Sequence, residues 1–78
     1  DADKVEVDFV IENTIGDIVG VEVKASATVT EKDLKGLKKL AGLAGNRFKT
    51  GLLLYDGTET MPLGENIWAA PLSSLWGR

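Results

Sequence analysis

The sequence predicts an α/β domain built on a small mixed sheet, in which an antiparallel hairpin feeds a right-handed βαβ crossover. Three observations predict it. Two valine-rich runs alternate apolar and polar residues around a short turn, a leucine stripe at helical spacing follows, and the uninterrupted apolar run "GLLLYDG" comes next. Alternation is the period of a half-buried strand, whereas a continuous apolar run between turn residues suits a strand covered on both sides.

The first strand comes from Val5, Val7, Phe9 and Ile11, which alternate with Glu6, Asp8, Val10 and Glu12. "NTIGD" (13–17) is turn chemistry, because Asn, Gly and Asp accept the backbone angles a tight reversal needs. Val19, Val21, Val23 and Ala25 then alternate with Ile18, Gly20, Glu22 and Lys24. For both valine sets to share a face, paired residue numbers must sum to an even number, since a one-residue slip flips every side chain. A loop centred on Ile15 makes that sum 30, so Val7 meets Val23, Phe9 meets Val21 and Ile11 meets Val19. On the other face Asp8 lies opposite Glu22, and Glu6 opposite Lys24.

Residues 31–44 are predicted to form a helix. Thr30 with Asp33 three residues later resembles a capping box, and Gly45-Asn46 is a typical stop. Leu34, Leu37, Leu40, Ala41 and Ala44 make its buried stripe, expected to cover the Val7, Phe9, Val21, Val23 face; Lys32, Lys35, Lys38 and Lys39 lie mostly away from it. Gly36 and Gly42 each cost about 1 kcal/mol against alanine, a cost that suggests close packing. After the buried strand, a polar loop carrying Pro62 and Gly64 leads to a last strand, "NIWAAP". "LSSLW" reads as one helical turn laying Leu75 and Trp76 on the core.

At 78 residues the chain makes one domain, 1–78, and a domain of this size buries only about 60% of its unfolded surface. There is no cysteine and no histidine, which excludes disulfides, thiolate or imidazole zinc sites, and Ser-His or Cys-His nucleophile pairs. A metal held by side chains would need carboxylates, which favours Mg2+, Mn2+ or calcium. No run of about 18 apolar residues occurs and the acidic start "DADKVEVD" is unlike a signal peptide, so a cytoplasmic protein without membrane contact is expected. The net charge of −3 argues against a dedicated nucleic-acid coat. Residues 1–31 carry eight acids and two lysines, whereas residues 32–49 carry six basic residues against Asp33 alone. An acidic pole beside a basic stretch suits a metal site next to a phosphate-binding surface, with Lys35, Lys38 and Lys39 as phosphate contacts; the plainer reading is an ordinary solvated helix face.

Like charges directly opposite destabilise a plain sheet, and a divalent cation between Asp8 and Glu22 would remove that repulsion. Lys24, two residues along the same face, could reach the same spot to assist a water or steady charge on a phosphate. Asp8, Glu22 and Lys24 thus form a minimal kit for metal-assisted phosphodiester hydrolysis, with Glu6 as an auxiliary acid. The competing reading is the wet face of a hairpin.

Over nearly the whole chain, "EVDFVIE", "IVGVEVKASATVTEKDLKGLKKLAGLAGNRFKTGLLLYDG" and "NIWAAPLSSLW" closely resemble the C-terminal end of prokaryotic ATP-binding proteins. In these an AAA-type ATPase module precedes a C-terminal domain of unknown function. That domain resembles the restriction-endonuclease-like PD-(D/E)xK nuclease superfamily, whose acid, second acid and lysine match Asp8, Glu22 and Lys24. Val7 stands where the superfamily often has proline. The resemblance implies a restriction-endonuclease-like core lacking its first helix, a fragment of a larger ATPase, with its own N-terminal ATPase module as partner. DNA or RNA would be the substrate and Mg2+ or Mn2+ the cofactor. No G-x-x-x-x-G-K-[ST] loop is present, so no ATP site is expected in these residues. The alternatives are a non-catalytic module that binds nucleic acid or protein, and a structural or oligomerising tail. A sheet left partly uncovered by the missing helix would also self-associate, with Trp68 or Trp76 near the contact.

Overall fold

A computed structural model of the chain describes residues 6–76, and side chains as far as Ser74. Five strands and one α-helix make up the described residues: β1 (Phe9–Glu12), β2 (Ile18–Lys24), α1 (Lys35–Ala44), β3 (Phe48–Tyr55), β4 (Met61–Gly64) and β5 (Ile67–Pro71). Short 3-10 turns at Glu31–Leu34, Gly45–Arg47 and Leu72–Trp76 join or follow them. The strands form one mixed sheet in the order β1-β2-β3-β5-β4. Its centre is parallel, β2 with β3 and β3 with β5, and each edge is antiparallel.

The hairpin forms in the expected register, with Phe9 opposite Val21, Ile11 opposite Val19 and Glu12 opposite Ile18. Asn13 sets the turn: its Oδ1 accepts the N–H groups of Ile15 at 3.0 Å and Asp17 at 2.9 Å. This is the Asx geometry that lets a short polar side chain replace a backbone acceptor.

Residues 31–44 are helical throughout, as a 3-10 turn running into α1. The Asp33 carboxylate accepts the Thr30 N–H at 2.7 Å and its hydroxyl at 3.0 Å, so the capping residues act as the sequence implied. At the far end Gly45 takes φ +59° and its N–H donates to the Ala41 carbonyl, ending the helix.

The core lies between α1 and one face of the sheet. Leu34, Leu37 and Leu40 pack on Ile18, Phe48, Leu53 and Ile67, with Val7, Ala41 and Ala44 at its margin. Leu37 and Leu53 are wholly buried. Removing either side chain to alanine costs about 2–5 kcal/mol at such sites.

The face that α1 covers is not the expected one. It carries the even-numbered β2 residues, and the valines Val19, Val21 and Val23 point to the other side. Phe9 is 59% and Ile11 58% exposed, whereas Val7 belongs to the core margin. Two local causes produce this. Gly20 lacks a side chain, and a Cβ there would stand 2.7 Å from Leu40 Cδ2, so the helix leucines seat directly on the backbone. The chain also bends at Asp8 before β1 begins, and the bend puts Val7 and Phe9 on opposite faces. Continuous alternation through residues 5–11 assumed no such break.

Gly36 is a second close approach, since a Cβ there would stand 2.3 Å from the carbonyl oxygen of Glu6. Gly42 has open space beside it, so the packing expected of both glycines holds for Gly36 alone. The stretch with Pro62 and Gly64, expected as loop, is strand β4, antiparallel to β5 with a register shift between these two residues. Edge strands tolerate proline because one side of the backbone needs no partner. Val5 and the side chains of Leu75 and Trp76 lie outside what the structure describes. Among the described residues no helix is long and apolar enough to cross a membrane.

Candidate functional site

Glu22 and Lys24 lie at the carboxyl end of β2, beside the start of the helical segment. Ligand and catalytic groups in parallel α/β sheets gather at this end, where strands finish and helix N-termini begin. Asp8 comes to the same place from the neighbouring chain segment, just before β1. Its N–H donates to Glu22 Oε1 at 2.9 Å, and its Oδ2 accepts the Val23 N–H at 2.8 Å. The ladder between β1 and β2 ends at Phe9 and Val21, and these two side-chain bonds continue it for one more step. Two carboxylates are therefore held together by backbone donors, each through one of its oxygens.

The electrostatics follow from that placement. Half-burial of Glu22 pushes its carboxyl above the usual 4.5, and the Asp8 N–H opposes the rise by bonding the charged form. The negative charges of Asp8, Asp33 and Glu6 push it further up. Desolvation and neighbouring anions both disfavour ionisation, so the directions agree.

Lys24 turns elsewhere. The sequence aimed it at Asp8 and Glu22, with Glu6 as its surface partner; the structure pairs its Nζ with Asp33 Oδ2. That bond, followed by the Thr30 N–H, holds the Asp33 carboxyl below its usual 3.8. Asp33 thus closes the helix start and anchors the lysine at once. Sequence reading assigned it only the capping role. The signal was available, because a capping acid at the first turn after a parallel strand stands near that strand's carboxyl end.

The basic residues divide between two places. Lys35 and Lys38 are exposed and Lys39 is half-buried; Lys38 lies 3.3 Å from Glu31, both well solvated. Lys35 precedes Gly36, the point where residues 6 and 7 cross the helix. Arg47 instead ties down the hairpin: its Nε donates to the Gly16 carbonyl at 2.9 Å and its Nη2 to Glu12 at 3.0 Å. Lys49 lies 3.8 Å from Asp17 at the same turn. Among the described residues, no three carboxylates converge as a ready metal cage; the acids brought together are Asp8 and Glu22, with Glu6 and Asp33 adding charge from nearby.

Fold and site together define a mixed α/β domain with a carboxylate pair and an anchored lysine at the carboxyl end of a central strand. Residues 1–75 match the family described as "Domain of unknown function (DUF4143)", and the chain belongs to that family. No curated protein and no solved structure matches it.

Proposed function

We propose that the chain is a nuclease-like module with a restriction-endonuclease-like core, which serves a prokaryotic AAA-type ATPase in nucleic-acid handling and acts on phosphodiester bonds with a divalent cation. The observation that carries this reading is a pair of backbone bonds, Asp8 N–H to Glu22 Oε1 and Val23 N–H to Asp8 Oδ2, which holds two carboxylates at the carboxyl end of β2 with Lys24 two residues further on.

The donor chemistry fits Mg2+ or Mn2+. Both side chains offer hard carboxylate oxygens, and each spends one oxygen on a backbone N–H, which orients the other for a ligand. Such a cation, when bound, polarises a phosphoryl oxygen and acidifies a coordinated water. Asp8 and Glu22 would hold it, and their mutual repulsion would favour its entry. Lys24, kept in place by Asp33, supplies an ammonium to steady charge on a phosphate oxygen. Lys35, Lys38 and Lys39 would serve as phosphate contacts, which position a strand without reading its sequence.

Titration calorimetry with manganese, paired with plasmid nicking, tests this. Wild type should bind the metal and nick; Asp8→Asn should lose the metal heat, and Lys24→Ala should keep the heat and lose nicking. Neither metal heat nor nicking in wild type would refute the catalytic reading. A second reading rests on the Lys24–Asp33 pair, which occupies the lysine structurally: a non-catalytic module that binds nucleic acid through the helix lysines. Salt-sensitive strand binding without metal heat or nicking would identify it.

A further inference from the structure

We infer that the uncovered face of the sheet is a self-association surface whose occupant is a second copy of this chain. A row of apolar side chains runs in register across four strands on that face: Phe9, Val21, Leu52 and Trp68. Helix α1 packs on the opposite face, and on this one Leu54 is already buried within the chain while Phe9, Ile11, Val23 and Trp68 stay exposed. Phe9 and, at 42% exposure, Trp68 stand at the two ends of the row, with the half-buried Val21 and Leu52 between them. Val23, 38% exposed, borders a groove of about 490 Å³ that Leu54 also lines and where Asp8 is the only charged lining residue.

Parallel ladders such as β2-β3-β5 are ordinarily buried on both faces, and an apolar patch of several hundred Å² on a small protein marks a contact surface. The chemistry narrows the occupant. A strand of nucleic acid needs cations, and among the described residues that line the groove there is none; its complement is another apolar surface. The chain supplies one with the required relief, because aromatic posts at the ends and shorter aliphatics between them recur on every copy. Under a two-fold axis a post of one copy meets the hollow of the other and the reverse contact follows by symmetry. Full burial of the exposed side chains of this face on both copies would remove on the order of 1,000 Å², the lower limit of a biological interface, so the pair is a weak one.

Sedimentation equilibrium from micromolar to millimolar concentration tests the inference on this chain. Wild type should move from 8.3 kDa to twice that mass as concentration rises. Phe9→Glu and Trp68→Glu should stay at the monomer mass with an unchanged circular dichroism spectrum. Leu43→Glu, on the outer side of α1 at 68% exposure, should dimerise as wild type does. A wild type that remains monomeric throughout overturns the proposal and leaves the face to a different partner, as does a folded Phe9→Glu or Trp68→Glu variant that still dimerises. Should a glutamate variant unfold, amide shifts of wild type on dilution decide. Changes centred on residues 9, 21, 52 and 68 support the dimer; changes confined to α1 or to the β4 edge overturn it.

Discussion

Replacing Glu22 with glutamine should make the domain more stable at neutral pH, although it removes a side chain that accepts a hydrogen bond. Glutamine keeps the acceptor for the Asp8 N–H, now 2.9 Å from Glu22 Oε1, so the bond survives in neutral form. What disappears is a half-desolvated anion beside Asp8, Asp33 and Glu6. Two effects oppose each other. Exchanging a charge-assisted bond for a neutral one costs about 1 kcal/mol, and relief of like-charge contacts and desolvation returns somewhat more. The upward direction of the Glu22 carboxyl decides the sign, because it means that the fold disfavours the ionised form on balance. Solvent reaches the side chain and screens these interactions, so the net gain is about 0.5–1 kcal/mol. For a domain of this size that raises Tm by about 2–8 °C.

The pH dependence gives the sharper test. A carboxyl whose pKa is raised on folding binds more protons folded than unfolded, so its contribution favours the fold below 4.5. That contribution is lost as pH rises through 4.5 to the higher folded value. The advantage of Glu22→Gln should therefore be small in acid, open across that window and stay constant above it. Thermal melts of both proteins in chelator between about pH 4 and pH 8 measure it. A variant equal to or less stable than wild type at pH 7, or a difference that is flat across the range, would refute the account of Glu22.

Asp8→Ala should destabilise by about 1–2 kcal/mol in chemical denaturation, because the Val23 N–H loses the acceptor that continues the sheet, while Asp8→Asn, which keeps an oxygen there, should fall within about 0.5 kcal/mol of wild type. Gly36→Ala should cost more than about 2 kcal/mol despite alanine's higher helix propensity, since its Cβ meets backbone rather than a side chain that can swing away; a stabilised variant in the same assay would refute the crossing at Glu6. Asp33, held below 3.8 chiefly by Lys24, contributes stability that is present above that value and lost as pH falls through the lower folded one. Circular dichroism during acid titration should therefore show Asp33→Asn with a flatter profile in that range than wild type.

Much of the architecture is legible in the sequence because local rules and tertiary context agree there. Asn13 to Asp17 can only turn, and the parity of Phe9, Ile11, Val19 and Val21 fixes the register that the hairpin adopts. Thr30, Asp33 and Gly45 punctuate the helix at the positions their chemistry favours. The failure over the covered face is equally physical. In β2 both faces are apolar: Ile18 and Gly20 on one, Val19, Val21 and Val23 on the other. Hydrophobic count chose the valines, but helix packing responds to relief, and Gly20 offers the hollow into which Leu37 and Leu40 fit. Strand β4 escaped because Pro62 and Gly64 read as loop residues, although the half-buried Met61 and Leu63 alternate with them; pairing with β5 supplies what propensity does not.

The candidate site was legible in its members and not in its bonding. A register sum of 30 places Asp8 beside Glu22, and the structure brings them together. Facing carboxylates on a continuous ladder would simply repel, however. The bend at Asp8 replaces that arrangement with one in which each acid receives a backbone N–H, so the pair persists as part of the sheet rather than against it. The same bend determines which side of the sheet each flanking residue occupies. Val7 goes to the helix and Phe9 to the open face, so one residue anchors the carboxylate pair and exposes the aromatic that begins the Phe9–Trp68 row. Lys24 illustrates the remaining gap. Its spacing from Glu22 made it look directed at the acids, whereas the helix start brings Asp33 within reach of the same ammonium. Spacing along one strand cannot register a competitor delivered by the next element, and here that competitor fixes where the cation of the site stands.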